Sequence, residues 1–330
     1  MKIALDAMGS DARPRPDVDG AVQAAREWNV SIALVGDETK IKTELAKHDS
    51  RGLTIEIVHT ATEIMMTDHV DAVKSKRDAS MNVAVRQVKQ KQADAFVTMG
   101  NSGAAMAAAL LGLGRIRGID RPAFAAVIPS GTARTLLLDI GANAEVKPEN
   151  LFQFALMGSI YAQKVMGIPN PRVALLSNGE EEGKGTTTVR EAYARLKTSK
   201  INFIGNAEGK DVPRGFADVI VSDGFAGNVM IKTMEGVAES LVGFLRAEIK
   251  SRPLAIVGAA LAKPAFDALR KRLDYAEIGG APVLGVDGVT IIGHGRSNAK
   301  AVKNAIRAAI QAVDGNMLDA IRAGIAQNLN

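Results

Sequence analysis

The 330-residue chain contains no cysteine. That excludes disulfides, thiolate metal sites and a cysteine nucleophile, and it fits a reducing compartment. Aromatic residues make up only 4%, while alanine supplies about one residue in six and glycine 32 positions. A core of small side chains with Leu, Ile, Val and Met suits helices packed closely on a sheet. The four histidines, His48, His59, His69 and His294, are scattered without paired spacing, which argues against a zinc site. Long apolar runs are missing too. The longest charge-free stretch, Ala95 to Gly114, is cut by Thr98, Gly100, Asn101, Ser102 and Gly103, so it reads as strand, polar turn and helix rather than a membrane span. The opening Lys2-Ile3-Ala4-Leu5-Asp6 reaches an acid after three apolar residues, unlike a secretory leader, so a cytoplasmic location is expected.

What remains is ordinary globular composition, 47% hydrophobic and 23% charged, with a formal net charge of +5. The mild positive balance favours acidic partners. Nucleic acid is disfavoured, since almost no aromatics accompany the basic residues. Short apolar runs recur at Lys2–Asp6, Ser31–Val35, Thr54–Val58, Ala95–Met99, Phe124–Ile128, Thr135–Asp139, Arg172–Ser177, Asp218–Ser222 and Val289–Ile292. Helical patterns fall between most of them, which predicts an α/β fold with a largely parallel sheet covered on both faces. Phe124–Ile128 and Thr135–Asp139, split by Pro129-Ser130-Gly131, are expected to form an antiparallel insertion. With no repeat and no low-complexity linker, residues 1–330 are expected to form a single domain.

Six of the strands run into turns rich in Gly, Asn, Ser and Asp. They are Asp6-Ala7-Met8-Gly9-Ser10-Asp11, Gly100-Asn101-Ser102-Gly103, Asp139-Ile140-Gly141-Ala142-Asn143, Ser177-Asn178-Gly179, Ser222-Asp223-Gly224-Phe225-Ala226-Gly227-Asn228 and Gly293-His294-Gly295-Arg296-Ser297-Asn298. Ligands of open parallel sheets bind beyond the carboxyl ends of the strands. The six turns are therefore expected to converge on one rim as a polar, anion-binding cleft; taken singly, each is equally plain turn chemistry.

Within this set Asn178 to Thr187 is the densest segment, with Lys184 between Gly183 and Gly185. It is no P-loop: the first glycine is one residue too close, and Gly185 stands where Ser or Thr should bind magnesium. A solvated charged loop is the alternative. Asp223 is expected either to cap the helix Gly227–Ile249 or to orient a cation. Asp139 and Asn143 form a similar strand-end pair. Asn101, Ser102 and Gly103 open an Ala-rich helix and are placed to contact phosphate or a carbonyl oxygen, with Ser102 as simple N-cap the competing role. His294 is expected to serve as a structural or hydrogen-bonding residue. G-x-S-x-G is absent, and no G-x-G-x-x-G follows the first strand. Residues 227–276 stand apart as a helical region. Leu254 lies in its apolar first half, and Phe266, Leu269, Arg270, Lys271 and Arg272 set apolar residues beside a basic cluster in the second. That pattern suits an anionic lipid surface, or equally a hairpin packed in a subunit interface.

Ile3-Ala4-Leu5-Asp6-Ala7-Met8-Gly9, Gly100-Asn101-Ser102-Gly103-Ala104, Leu138-Asp139-Ile140-Gly141-Ala142-Asn143, Ser177-Asn178-Gly179-Glu180-Glu181 with Lys184-Gly185, Ser222 to Asn228, Gly279-Gly280-Ala281-Pro282 with Leu284-Gly285-Val286, and Gly293-His294-Gly295 occur in this order along the whole chain. Together they resemble the bacterial phosphate acyltransferase family (acyl-ACP:phosphate transacylase). Departures are Ser10, where the family usually has glycine, and Arg13 and His69.

The resemblance implies a three-layer α/β/α fold like that of phosphotransacetylases and isocitrate or isopropylmalate dehydrogenases, with a protruding helical hairpin. It implies a homodimer without metal or nucleotide cofactor. It also implies conversion of acyl-ACP and inorganic phosphate to acyl phosphate and free acyl carrier protein. The product would feed a membrane glycerol-3-phosphate acyltransferase, hence peripheral membrane contact. Phosphate is already an anion and a thiolate leaves readily, so direct attack needs no Ser–His pair. Lys184 is expected to bind phosphate, and Asp223 to orient Lys184 or accept a proton. Asn101, Ser102, Asn178 and Asn228 are candidate donors, with Gly103, Asp139, Asn143, Gly185 and His294 completing the expected site. Rival readings are a phosphotransacetylase using acyl-CoA, an NAD-dependent decarboxylating dehydrogenase, for which no aspartate cluster is evident, and a non-catalytic carrier-binding scaffold.

Overall fold

Short apolar runs bounded by Gly, Asn and Pro become strands, and the amphipathic stretches between them become helices that cover the sheet. The computed structural model describes residues 1–131, 133–273 and 275–328, with the side chains at 270–273, 275 and 278 also outside the described residues. The chain opens as β1 (Lys2–Asp6), α1 (Arg15–Trp28), β2 (Ser31–Gly36), α2 (Glu38–Leu45), β3 (Ile55–His59), α3 (Ala72–Ser75), α4 (Ser80–Lys89), β4 (Ala95–Thr98) and α5 (Ser102–Gly112). It continues with β5 (Ala123–Ser130), β6 (Ala133–Leu138), α6 (Pro148–Lys164), β7 (Val173–Leu176), α7 (Thr187–Lys197), β8 (Phe203–Ala207) and β9 (Val219–Val221). Last come α8 (Gly224–Lys250), α9 (Pro253–Leu261), α10 (Lys263–Leu273), α11 (Tyr275–Ile278), β10 (Ala281–Leu284), β11 (Val289–Ile292), α12 (Ala299–Asp314) and α13 (Met317–Asn328).

One 11-stranded sheet runs in the order β3-β2-β1-β4-β11-β10-β5-β6-β9-β7-β8. Alternate residues of a strand face opposite sides. Ile3 and Leu5 accordingly join one core layer and Ala4 a second, while Leu136 and Leu138 face away from Leu137. Both faces are covered, as a three-layer α/β/α fold requires. The helix α12 packs on α1, bringing the two ends of the chain together, and α13 packs on α6 in the other half.

The sheet is largely parallel, as expected, but its direction reverses at the centre. β1, β2, β3, β4 and β11 run parallel to one another, and so do β6, β7, β8 and β9. Between these sets β10 is antiparallel to both β11 and β5, and β5 is antiparallel to β6. Three reversals leave the two halves pointing in opposite directions. β5 and β6 pair antiparallel, as expected, and they lie at the centre of the sheet, joining its two parallel halves. The six strand-end turns consequently do not share one rim: three belong to each half.

α8 begins three residues earlier than expected. At 1.5 Å per residue its 27 residues span about 40 Å. Only Gly224 and Gly227 of this helix are buried, and from Glu239 to Leu269 the chain is exposed but for partly covered positions such as Ile249 and Phe266. This arm displays Leu241, Phe244, Leu254, Val257 and Leu261, with Leu254 at 88% exposure. No helix among the described residues is long and apolar enough to cross a membrane.

Candidate active site

In the second half of the sheet, β6, β9 and β7 are neighbours, and their registers set Leu138 and Leu175 both beside Val221. The turns that follow therefore emerge side by side. Asp139 organises the first. Its Oδ1 accepts from the backbone N–H groups of Phe124 (3.0 Å), Gly141 (3.2 Å) and Ala142 (3.0 Å); its Oδ2 accepts from the Asn143 N–H (2.8 Å) and from Asn143 Nδ2 (2.9 Å). Burial raises the Asp139 pKa, with these donors pulling the other way. Asn143 Nδ2 also donates to the Pro122 carbonyl at 2.7 Å. Both side chains are thus spent on shaping the turn.

The start of α8 leans on this turn so closely that only glycine fits. A Cβ on Gly224 would lie 2.7 Å from the Asn143 carbonyl oxygen, and one on Gly227 only 1.9 Å from the Asp139 carbonyl oxygen. Asp223 is the N-cap of α8: its Oδ1 accepts from the Ala226 N–H at 2.7 Å. Of the two roles expected for Asp223, capping is the one its geometry shows, and it forms no ion pair with Lys184 within 4.0 Å. Asn228, one turn on, is exposed and lies against Gly141.

The third turn carries Lys184. Asn178 Oδ1 accepts from the Gly185 N–H at 2.8 Å, pinning the loop, and Gly185 takes a left-handed φ of +96°. The Lys184 stem lies over Gly179, where a Cβ would come within 2.7 Å of Lys184 Cγ. The ammonium is exposed, with no hydrogen-bond or ion-pair partner among the described residues. At the root of the loop Ser177 Oγ is buried and also lacks a partner. The motif contained Ser177, but nothing in the sequence distinguished it from an ordinary turn serine.

The turns of the first half lie beside one another on β1, β4 and β11. Asn101, not Ser102, is the N-cap of α5: its Oδ1 accepts from the Ala104 N–H at 3.0 Å. Asn101 Nδ2 donates to the carbonyls of Met66 (3.1 Å) and Asp68 (3.2 Å), so this side chain ties down a neighbouring loop. Ser102 and Gly103 are exposed. Beneath them Thr98 Oγ1 donates to buried Asp6 at 2.7 Å, and the Ser10 hydroxyl donates to Asp17 at 2.5 Å. Ser10 is buried and serves this carboxyl, which accounts for a hydroxyl at that position. Burial raises both aspartates' pKa values, Asp17 strongly, and Asp17 Oδ1 has no partner. Arg13 pairs with Glu63 at 2.6 Å, and exposed His69 sits 3.1 Å from Asp71.

α8 spans the two groups. His294 feels the charges of Lys232 and Glu235, and Arg296 approaches Glu239 at 3.7 Å. Partial burial, aided by the Lys232 and Arg296 charges, lowers the His294 pKa against the pull of Glu235. From Asp223 to Glu235 is about 18 Å along the helix. Lys232 and Glu235 were absent from the sequence-based site, although they continue the face of Asn228 at helical spacing.

Elsewhere, Glu180, Glu208 and Asp211 bring carboxylate oxygens within 4.8 Å of one another, but the Lys210 ammonium bonds Glu180 at 3.2 Å and also reaches Glu208. Leu254 and Leu269 are exposed on the arm and Phe266 is partly buried; the side chains of Arg270, Lys271 and Arg272 lie outside the described residues.

Residues 1–319 match the family model described as fatty acid synthesis protein. The chain is 53% identical over 325 residues to a phosphate acyltransferase from Heliobacterium modesticaldum, covering 98% of this chain and 97% of that one. It is 50% identical over 326 residues to a phosphate acyltransferase from Pelotomaculum thermopropionicum, covering 98% and 95%. Among solved structures, a phosphotransacetylase from Streptococcus pyogenes superposes with a TM-score of 0.62 at 18% identity, covering 95% of this chain and 94% of that one. That likeness shows the fold.

Proposed function

The chain belongs to the fatty acid synthesis protein family and is a phosphate acyltransferase, and we propose that it transfers the acyl group of an acyl carrier protein thioester to inorganic phosphate. The observation that carries the site assignment is Lys184: a cation without a partner among the described residues, on a pinned loop beside the Asp139 and Asp223 turns. A phosphate oxygen attacks the thioester carbonyl carbon, forming a C–O bond. The tetrahedral intermediate then collapses, the C–S bond breaks, and the carrier thiolate leaves and takes up a proton. Acyl phosphate and free carrier are the products. Holding the two reactants together supplies several orders of magnitude.

In this reading Lys184 neutralises phosphate, and Asn178 Nδ2, Asn228 and the Ser177 hydroxyl donate to phosphate or to the developing oxyanion. The Gly185 loop sets their positions. Asp139 and Asn143 act as positioning residues, because their polar groups are already engaged. Asp223 keeps Oδ2 available to orient Lys184 or to accept a proton from monobasic phosphate. Ser102, Gly103 and His294, on the turns of the first half, contact the acyl donor rather than phosphate, and Asn101, whose Oδ1 and Nδ2 are already engaged, positions its turn. No protein nucleophile, metal or nucleotide enters this scheme.

The exposed arm serves as the dimer or membrane contact of a cytoplasmic, peripherally attached enzyme. Acyl phosphate would then pass to a membrane glycerol-3-phosphate acyltransferase. The test of the reaction is phosphate-dependent release of free carrier from acyl-ACP, compared with acyl-CoA. Lys184→Met should cut this by about 100-fold or more while the unfolding midpoint stays put; near-normal turnover would refute the assignment.

A further inference from the structure

A cavity of about 460 Å³ opens between the α5–β5 and β6–α6 connections, lined by Arg115, Asp120, Arg121, Glu145, Val146, Lys147 and Asn150. Three cations and two carboxylates share it, yet none of the five side chains forms an ion pair within 4.0 Å among the described residues. Arg115 donates to the Asp120 carbonyl, which fixes the loop. Arg121 and Lys147 are exposed, and neither cationic group has a partner among the described residues. Arg117, also exposed, adds to the same loop a further cation that is unpaired among the described residues. The cavity adjoins the proposed reaction site: Arg121 precedes Pro122, whose carbonyl accepts from Asn143, and Lys147 follows Asn143 by four residues.

We infer that this cavity is the docking site for the acidic acyl carrier protein, with Arg115, Arg117, Arg121 and Lys147 meeting its carboxylates. The inference rests on the acyl-carrier reading proposed above. Several features favour a macromolecular anion over free phosphate. The volume is several times that of one phosphate ion, and the cations are spread over two connections. They also lie at the surface, where a protein partner reaches them without entering the fold. Asp120 and Glu145 would fix register by repelling a misplaced acidic face. From this position an acylated arm needs to cross only the Asn143 turn to reach Asn228 and Lys184. Attraction of this kind weakens as salt rises.

Arg121→Gln/Lys147→Gln removes two exposed, unpartnered cations, so folding should be unaffected; circular dichroism and the unfolding midpoint check this. Binding of unacylated holo-carrier is measured by titration. In parallel, KM and kcat are determined for acyl-ACP, for phosphate, and for a short uncharged N-acylcysteamine thioester. The expected result is a Kd and a KM for carrier raised about tenfold, with a flatter salt dependence. The phosphate KM and cysteamine-thioester turnover should stay within about twofold of the native values. An unchanged carrier Kd overturns the inference. So does a raised phosphate KM with carrier KM intact, which would make the cavity a phosphate site. If the native enzyme binds carrier through these residues but turns over only acyl-CoA, the docking site stands and the proposed donor falls.

Discussion

Replacing Asp139 with Asn keeps Oδ1 as acceptor but sets an amide against the Asn143 N–H and Nδ2 groups. Two donors to a buried carboxylate are lost, and the expected cost is roughly 3 kcal/mol, read as a lower urea midpoint. Lys184 is the opposite case, with no partner to lose, so its removal should touch turnover and leave stability alone. Asp17 gives a pH signature. Its pKa is raised on folding from 3.8, so the native state holds the proton more tightly than the unfolded chain. Stability is then fully present below pH 3.8 and erodes as pH rises toward the folded-state value. Asp17→Asn should flatten that decline, with its unfolding midpoint overtaking the native one as pH increases. A parallel pH profile in both proteins would show that Asp17 is ionised in the fold.

Along α8, two glycines predict opposite outcomes. Gly227→Ala drives a Cβ into the Asp139 carbonyl and should destabilise by about 3 kcal/mol or more while disordering the Asp223 turn, so activity falls with it. Gly236 has nothing within 4 Å, and Gly236→Ala should stabilise the helix by roughly 0.5 to 1 kcal/mol. Thermal melts of the pair separate close approach from helix propensity. The sequence announced most of these elements, because apolar runs and helical periodicity are local. It did not announce β8, whose Phe203–Ala207 includes Gly and Asn, or β10, whose Ala281-Pro282 follows two glycines. Missing β10 concealed the reversal of strand direction. Turn chemistry was visible in the sequence at all six strand ends, but which end faced which depended on that one strand. The Asn101 cap was likewise undecidable from Asn-Ser order alone, since both residues cap helices well.

At the scale of the molecule, the arm is the feature left without a partner. Apolar residues exposed together to this extent mark an interface. Leu254→Asp/Leu261→Asp should abolish co-sedimentation with anionic vesicles and leave phosphate-dependent turnover in detergent-free solution within about twofold. Conversion of a dimer to a monomer by the same change would identify the arm as the subunit contact instead. Charge patterning made this region legible in the sequence; its length beyond the sheet was not, because exposure is a property of the packed chain.

The placement of β11 beside β4 has a consequence during synthesis on the ribosome. Residues 95–98 emerge early, but the strand that seals their open edge comes nearly two hundred residues later, with α12 behind it to cover α1. Until then the nascent amino-terminal half carries an unsealed edge and an uncovered helix, the kind of surface on which chaperones act and aggregates start. A chain stopped at residue 288 would therefore be expected to accumulate as insoluble material, even though every residue of the Lys184 loop is present in it.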